Sequence, residues 1–270
     1  MEAVEEDCFP PDMPILGTGL APLPEVAPPA EPTTSPNITF QIGINATSTT
    51  FTLWTPSSPL HAAFSKNNVI ILDWDNTILP SDWLMRTHFI TMEHYIPPSP
   101  EVLEECTKIS DAVESLFRLA QTLGQVLIVT NASTGWVEKT CAMFMPGLCQ
   151  FLGSIPVISA CELYELFYND VNTWKLQAFR RDVLEALFSE EEPAPRVVLS
   201  IGDSESERNA VRMLKFVSKY GPVTTKSLKF IERPTPIALV EQIKKTTTNL
   251  SYILAAEGHM DLFMGITSRH

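Results

Sequence analysis

A doubly wound α/β fold around a mostly parallel sheet is predicted by three observations. Short apolar runs rich in β-branched residues recur at Val69–Leu72, Val126–Val129, Ile155–Ile158 and Val197–Ile201. Their unbroken apolar character suits parallel strands buried on both faces. Segments with helical spacing separate them at 101–123, where Val113, Leu116, Leu119 and Leu123 line one side, at 134–145 and at 173–189. A further strand near Ser227–Ile231 and a helix over Pro236–Leu254, set off by Pro234 and Pro236, continue the alternation. Strand and helix in steady succession imply layered α/β architecture.

The chain divides into three parts. Residues 1–36 hold nine of the 22 prolines. Few aromatics accompany them, so this stretch reads as a disordered acidic, proline-rich tail unable to bury enough surface to offset its chain entropy. Over 37–65 the residues Ile38, Phe40, Ile42 and Ile44 alternate, then polar residues intervene, then Phe51 and Leu53 alternate again, which reads as a β-hairpin extension. Residues 66–270 form the predicted α/β domain, long enough for one substantial core.

Charge narrows the class of partner. Residues 1–65 carry seven acids and no Lys or Arg, within a net charge of −13 for the whole chain. The remaining 25 acids against 19 bases leave −6 on the part expected to fold, with no dense basic run, so no nucleic acid is expected as a partner. Five cysteines without CxxC spacing suggest neither a disulfide framework nor a zinc site. An N-terminus without a basic segment and apolar core, and the absence of a long apolar run, point to a cytoplasmic protein with no membrane association.

The chemistry-bearing residues cluster where strands end. The first strand runs into Asp73-Trp74-Asp75-Asn76-Thr77, the second into Thr130-Asn131, and the fourth into Gly202-Asp203-Ser204-Glu205-Ser206-Glu207. Lys175 lies near the start of the helix before that last strand. Ligands of open α/β sheets bind outside the carboxyl ends of the strands. Taken singly, each signal has an ordinary reading: a solvated acidic loop, a helix N-cap, a turn, an exposed lysine. Together they bring acids, a hydroxyl and an amine to one sheet edge.

In this order the four motifs resemble those of the haloacid dehalogenase (HAD) superfamily, over roughly residues 67–232. The resemblance implies a HAD-type Rossmann-like domain and a magnesium-dependent phosphatase or phosphotransferase. It implies that Asp73 is the nucleophile that becomes phosphorylated and Asp75 the general acid and base, a role needing a carboxyl group that starts protonated. Thr130 and Lys175 complete the catalytic set. Trp74, Asp75, Thr130, Asn131 and Lys175 are expected to bind phosphate. Asp73, Asp203 and the backbone carbonyl of Asp75 are the expected Mg2+ ligands, with Ser204 as a helper and Glu207 contributing directly or through water.

The chain between the motifs is largely used by a flap near Leu79–Trp83, helices around 84–95 and 101–123, and the elements between Asn131 and Lys175. No large cap is expected, and Trp83, His88 and Tyr95 read as core or surface more readily than as entrance residues. By family analogy an open site admits a phosphoprotein or other large phosphorylated molecule, or is covered by a protein partner. A small-metabolite phosphatase or phosphotransferase is the alternative enzyme reading. A non-catalytic module that recruits partners through the acidic tail is the alternative of another class, which the presence of both Asp73 and Asp75 disfavours.

Overall fold

The computed structural model describes residues 38–42, 68–88, 97–185, 196–217 and 223–266. The tail at 1–36, the second arm of the expected hairpin with Phe51 and Leu53, Tyr95 and the end of the helix expected to reach 189 lie outside the described residues.

Seven strands form one sheet. In chain order they are β1 (Ile38–Ile42), β2 (Asn68–Leu72), β3 (Gln125–Thr130), β4 (Val157–Ser159), β5 (Arg196–Gly202), β6 (Val223–Lys229) and β7 (Met260–Ile266). Their spatial order is β1-β7-β6-β5-β2-β3-β4. Every pairing from β7 to β4 is parallel, and β1 alone runs antiparallel, with Ile38 opposite Ile266 and Ile42 opposite Leu262. Thus the strand expected at Ile38–Ile42 is present, but its partner among the described residues is β7, a pairing that the alternation of the sequence does not reveal.

The helices are α1 (Ser81–His88), α2 (Pro100–Leu123), α3 (Trp136–Phe144), α4 (Cys149–Leu152), α5 (Ala160–Tyr164), α6 (Val171–Gln177), α7 (Glu205–Val217) and α8 (Pro236–Ala255). A π-helical stretch over Ala178–Glu185 carries on directly from α6. Alternation along the strands sorts the core into two layers. Ile70, Leu72, Ile128, Leu199 and Ile201 face a cluster with α2, α3 and α8. Val69, Ile71, Leu127, Val129 and Val198 face Phe179, Val183, Val211 and Leu214 on the other side. Period-two alternation with both faces covered is the signature of a doubly wound sheet, whose strands must be apolar throughout.

Local chemistry sets the element ends. Ser99 caps α2 through Val102 N–H, and Pro100 follows at the first helical position, where its missing N–H costs nothing. At the other end, Gly124 lets the chain turn straight into β3, because a Cβ there would stand 2.5 Å from the Asn68 carbonyl oxygen. Lys226 lies fully buried in β6 and donates to the carbonyls of Ile253, Leu254 and Ala256 at the end of α8. An ammonium suits that position, since it satisfies the last carbonyls and opposes the negative end of the helix. Burial pushes its pKa down to about 8, so it remains largely charged at neutral pH. No helix among the described residues is long and apolar enough to cross a membrane.

Candidate active site

The site is assembled at the carboxyl ends of β2, β3 and β5. Asp73 follows β2 directly and donates its backbone N–H to the Ile201 carbonyl of the neighbouring strand at 2.9 Å. The chain then folds into a tight turn in which the Trp74 carbonyl accepts from the N–H groups of Ile78 and Leu79 at 2.8 and 2.9 Å. Asn76 sits at φ 56°, a left-handed conformation that asparagine tolerates, and its side-chain oxygen accepts from Asp82 N–H at 3.0 Å. This turn brings Ser81, the first residue of α1, back against Asp75.

The two acids of the turn have different surroundings. Asp73 is buried and takes a hydrogen bond from Lys175 Nζ at 2.6 Å. Among the described residues Asp75 takes hydrogen bonds from neutral donors alone: Ser81 Oγ, the Trp136 indole N–H at 3.0 Å and Thr130 Oγ1 at 3.4 Å. Burial raises the carboxyl of Asp75, with the bonds from Ser81 and Trp136 opposing it in part. Burial also raises Asp73, opposed by Lys175 and reinforced by Glu207 and Asp203.

Lys175, buried to 2 % exposure, bridges Asp73 and Glu207. Burial alone would lower it, but the two carboxylates hold it firmly charged. Glu207 is fully engaged: one oxygen accepts from Lys175, the other from the Ser204 N–H at 2.9 Å and the Ser204 hydroxyl. Burial would raise its pKa, yet Lys175 and Ser204 outweigh burial and leave it below the ordinary value. Gly202 makes room for this arm, since a Cβ there would lie 2.5 Å from Glu207 Cγ.

Asp73, Asp203 and Glu207 place carboxylate oxygens within 4.8 Å of one another. The Asp203 carboxylate is buried and has no hydrogen-bond donor among the described residues, and burial followed by the charge of Glu207 pushes it up to about 7. Four buried or half-buried carboxylates, including Asp75, therefore surround one ammonium. A hard divalent cation fits this donor set, which is all oxygen and rich in negative charge. Asp73 and Asp203 are suited to hold it, whereas both oxygens of Glu207 are already used in fixing Lys175 and Ser204.

The expected residues are thus placed unequally. Asp73, Asp75, Thr130, Lys175, Asp203, Ser204 and Glu207 converge. The Trp74 indole is fully buried and donates to Thr140 Oγ1 at 3.0 Å, so only its backbone remains available to a phosphate. Asn131 is half-buried with its side-chain oxygen unpartnered and bonds to none of the acids. Trp83 packs partly buried against the core. The side chain of His88 lies outside the described residues, as does Tyr95. Ser81 and Trp136 are additions to the expected set; no spacing in the sequence marks them, because the Asn76 turn and the start of α3 bring them to Asp75.

Compared with known proteins, the chain matches no family model, and no curated protein or solved structure matches it significantly.

Proposed function

We propose that the protein is a magnesium-dependent phosphate monoester hydrolase of the HAD type, acting through phosphorylated Asp73. One observation supports this reading: two carboxyl groups at the end of one strand have different hydrogen-bond partners, Asp73 an ammonium and Asp75, among the described residues, neutral donors alone. Burial raises both carboxyls, so the support is the difference in hydrogen-bond partners: the acid held by Lys175 suits nucleophilic work, and the one held by neutral donors suits proton transfer.

In the first half of the reaction the Asp73 carboxylate attacks phosphorus while Asp75 gives its proton to the departing oxygen. Asp75, then ionised, takes a proton from the water that attacks the aspartyl-phosphate, and Asp73 is released. Lys175 holds Asp73 in place and offsets part of its charge. Thr130 orients Asp75 through its hydroxyl. Asp73, Asp203 and the Asp75 carbonyl would hold magnesium, which would supply the positive charge that lets a carboxylate approach an anionic phosphoryl group.

The substrate we favour is large, a phosphoprotein or a comparable phosphorylated molecule. In support, the described residues between β3 and α6 form only α3, a single 3₁₀ turn, α4, β4 and α5, with no separate covering unit. The test is phosphate release from a generic aryl phosphate with and without magnesium, by wild type and Asp73→Asn. Turnover that requires both magnesium and Asp73 is expected; equal turnover by the two proteins, or none by either, refutes the reading.

A further inference from the structure

We propose that Cys141 and Cys149 form a dithiol that a hydroperoxide closes into a reversible disulfide, and that closure acts on Asp75 through α3. The second half of this inference rests on the phosphatase reading. The Sγ atoms of the two residues lie 3.6 Å apart, Cys149 exposed at the start of α4 and Cys141 fully buried on α3. Other described cysteines are placed differently. Cys161 lies with its sulfur 3.1 Å from the Glu165 carboxylate, and Cys106 is buried with its thiol pushed up to about 12.

Exposure decides which sulfur reacts first. The Cys149 thiolate attacks one oxygen of the peroxide, the O–O bond breaks, and an alcohol or water leaves, so Cys149 becomes a sulfenic acid. The Cys141 sulfur then attacks the Cys149 sulfur; the S–S bond forms, and the sulfenic oxygen departs with the Cys141 proton as water. Two electrons pass from the two thiols to the peroxide. Burial raises the Cys141 thiol, which disfavours its thiolate. Placement against its target compensates, since groups held near 3.5 Å react as if at very high concentration.

Closure shortens the sulfur separation from 3.6 Å to about 2.05 Å. The two sulfurs share this approach, and whatever part Cys141 takes displaces its neighbour Thr140, which accepts from the Trp74 indole at 3.0 Å and donates to the Trp136 carbonyl at 2.7 Å. Trp136, at the head of the same helix, donates to Asp75 at 3.0 Å. A shift of α3 is therefore felt at the proton-transfer residue.

The full-length protein is treated with hydrogen peroxide, blocked by alkylation and mapped by peptide mass, with aryl phosphate turnover followed in parallel for wild type and Cys149→Ser. A Cys141–Cys149 linked peptide is expected in wild type alone. Its turnover should fall about fivefold, as for loss of one hydrogen bond, and recover with a thiol reductant, while Cys149→Ser is unaffected. Absence of the linked peptide, a linked peptide with unchanged turnover, or equal reversible loss in Cys149→Ser overturns the proposal. Reduced wild type without turnover instead refutes the phosphatase reading and the coupling with it, while the linked peptide still decides the dithiol.

Discussion

Lys175 Nζ stands 2.6 Å from Asp73 Oδ1, across 102 residues of chain, and bonds Glu207 at the same time. The ammonium is what allows two carboxylates to share a buried corner. Lys175→Met leaves both acids without their cation, although Glu207 keeps its bonds from Ser204, and breaking a buried ion pair from one side costs about 3–5 kcal/mol. Denaturant unfolding of the metal-free protein at pH 8 should show a loss of that order. The loss should shrink at pH 5, where the carboxyl groups take up protons and no longer repel.

Asp75 is held by neutral donors, so the proton-transfer role proposed for it can be separated from binding. Trp136→Phe removes one hydrogen bond and should lower kcat by about threefold to tenfold with little change in KM. Asp75→Asn should cost about a hundredfold to ten-thousandfold with a poorly departing alkyl phosphate. A nitrophenyl phosphate, whose leaving group needs little protonation, should suffer much less in its first step. Equal losses with both leaving groups would remove Asp75 from the role of acid.

Gly202→Ala tests whether the Glu207 arm is built for this place. The new Cβ would overlap Glu207 Cγ at 2.5 Å, and the displaced carboxylate would release Lys175 and Ser204. Overpacking of this kind costs about 1–3 kcal/mol. A thermal unfolding midpoint unchanged from wild type would show that the arm yields without cost.

Magnesium affinity should rise with pH. The folded-state pKa of Asp203 is pushed to about 7 from an ordinary 3.8, so without metal the folded protein holds a proton that the unfolded chain has lost. Stability from this group is complete below 3.8 and is lost as pH rises through 7. A cation that replaces the proton reverses the trend. The increase in unfolding temperature on adding magnesium should therefore be larger at pH 8 than at pH 5.5; a pH-independent increase would place the ion elsewhere.

Much of this arrangement is legible in the amino-acid order because the apolar strands abut their polar ends. Val69–Leu72 runs straight into Asp73 and Asp75, and Val197–Ile201 into Gly202 and Asp203, so strand and site announce each other. β6 is harder to place, since Lys226 and Ser227 interrupt its apolar character, and Lys226 is explained only by the α8 carbonyls it meets in space. β7 alternates, with Leu262 and Met264 buried, yet only pairing with β6 on one side and β1 on the other identifies it as part of the sheet. Ser81 and Trp136 reach Asp75 through tertiary structure alone. The π-helical stretch after α6 likewise has no distinct periodic signature over so few residues.

The phosphorylation proposed for Asp73 can be sought directly. A phosphate monoester carrying labelled phosphorus is mixed with magnesium and protein, the reaction is quenched in acid within its steady state, and the peptide bearing the label is identified by mass. Label on Asp73, lost on hydroxylamine treatment and absent from Asp73→Asn, is the expected result. Label on another residue, or full turnover by a protein in which Asp73 never acquires phosphate, would contradict nucleophilic catalysis at this carboxylate.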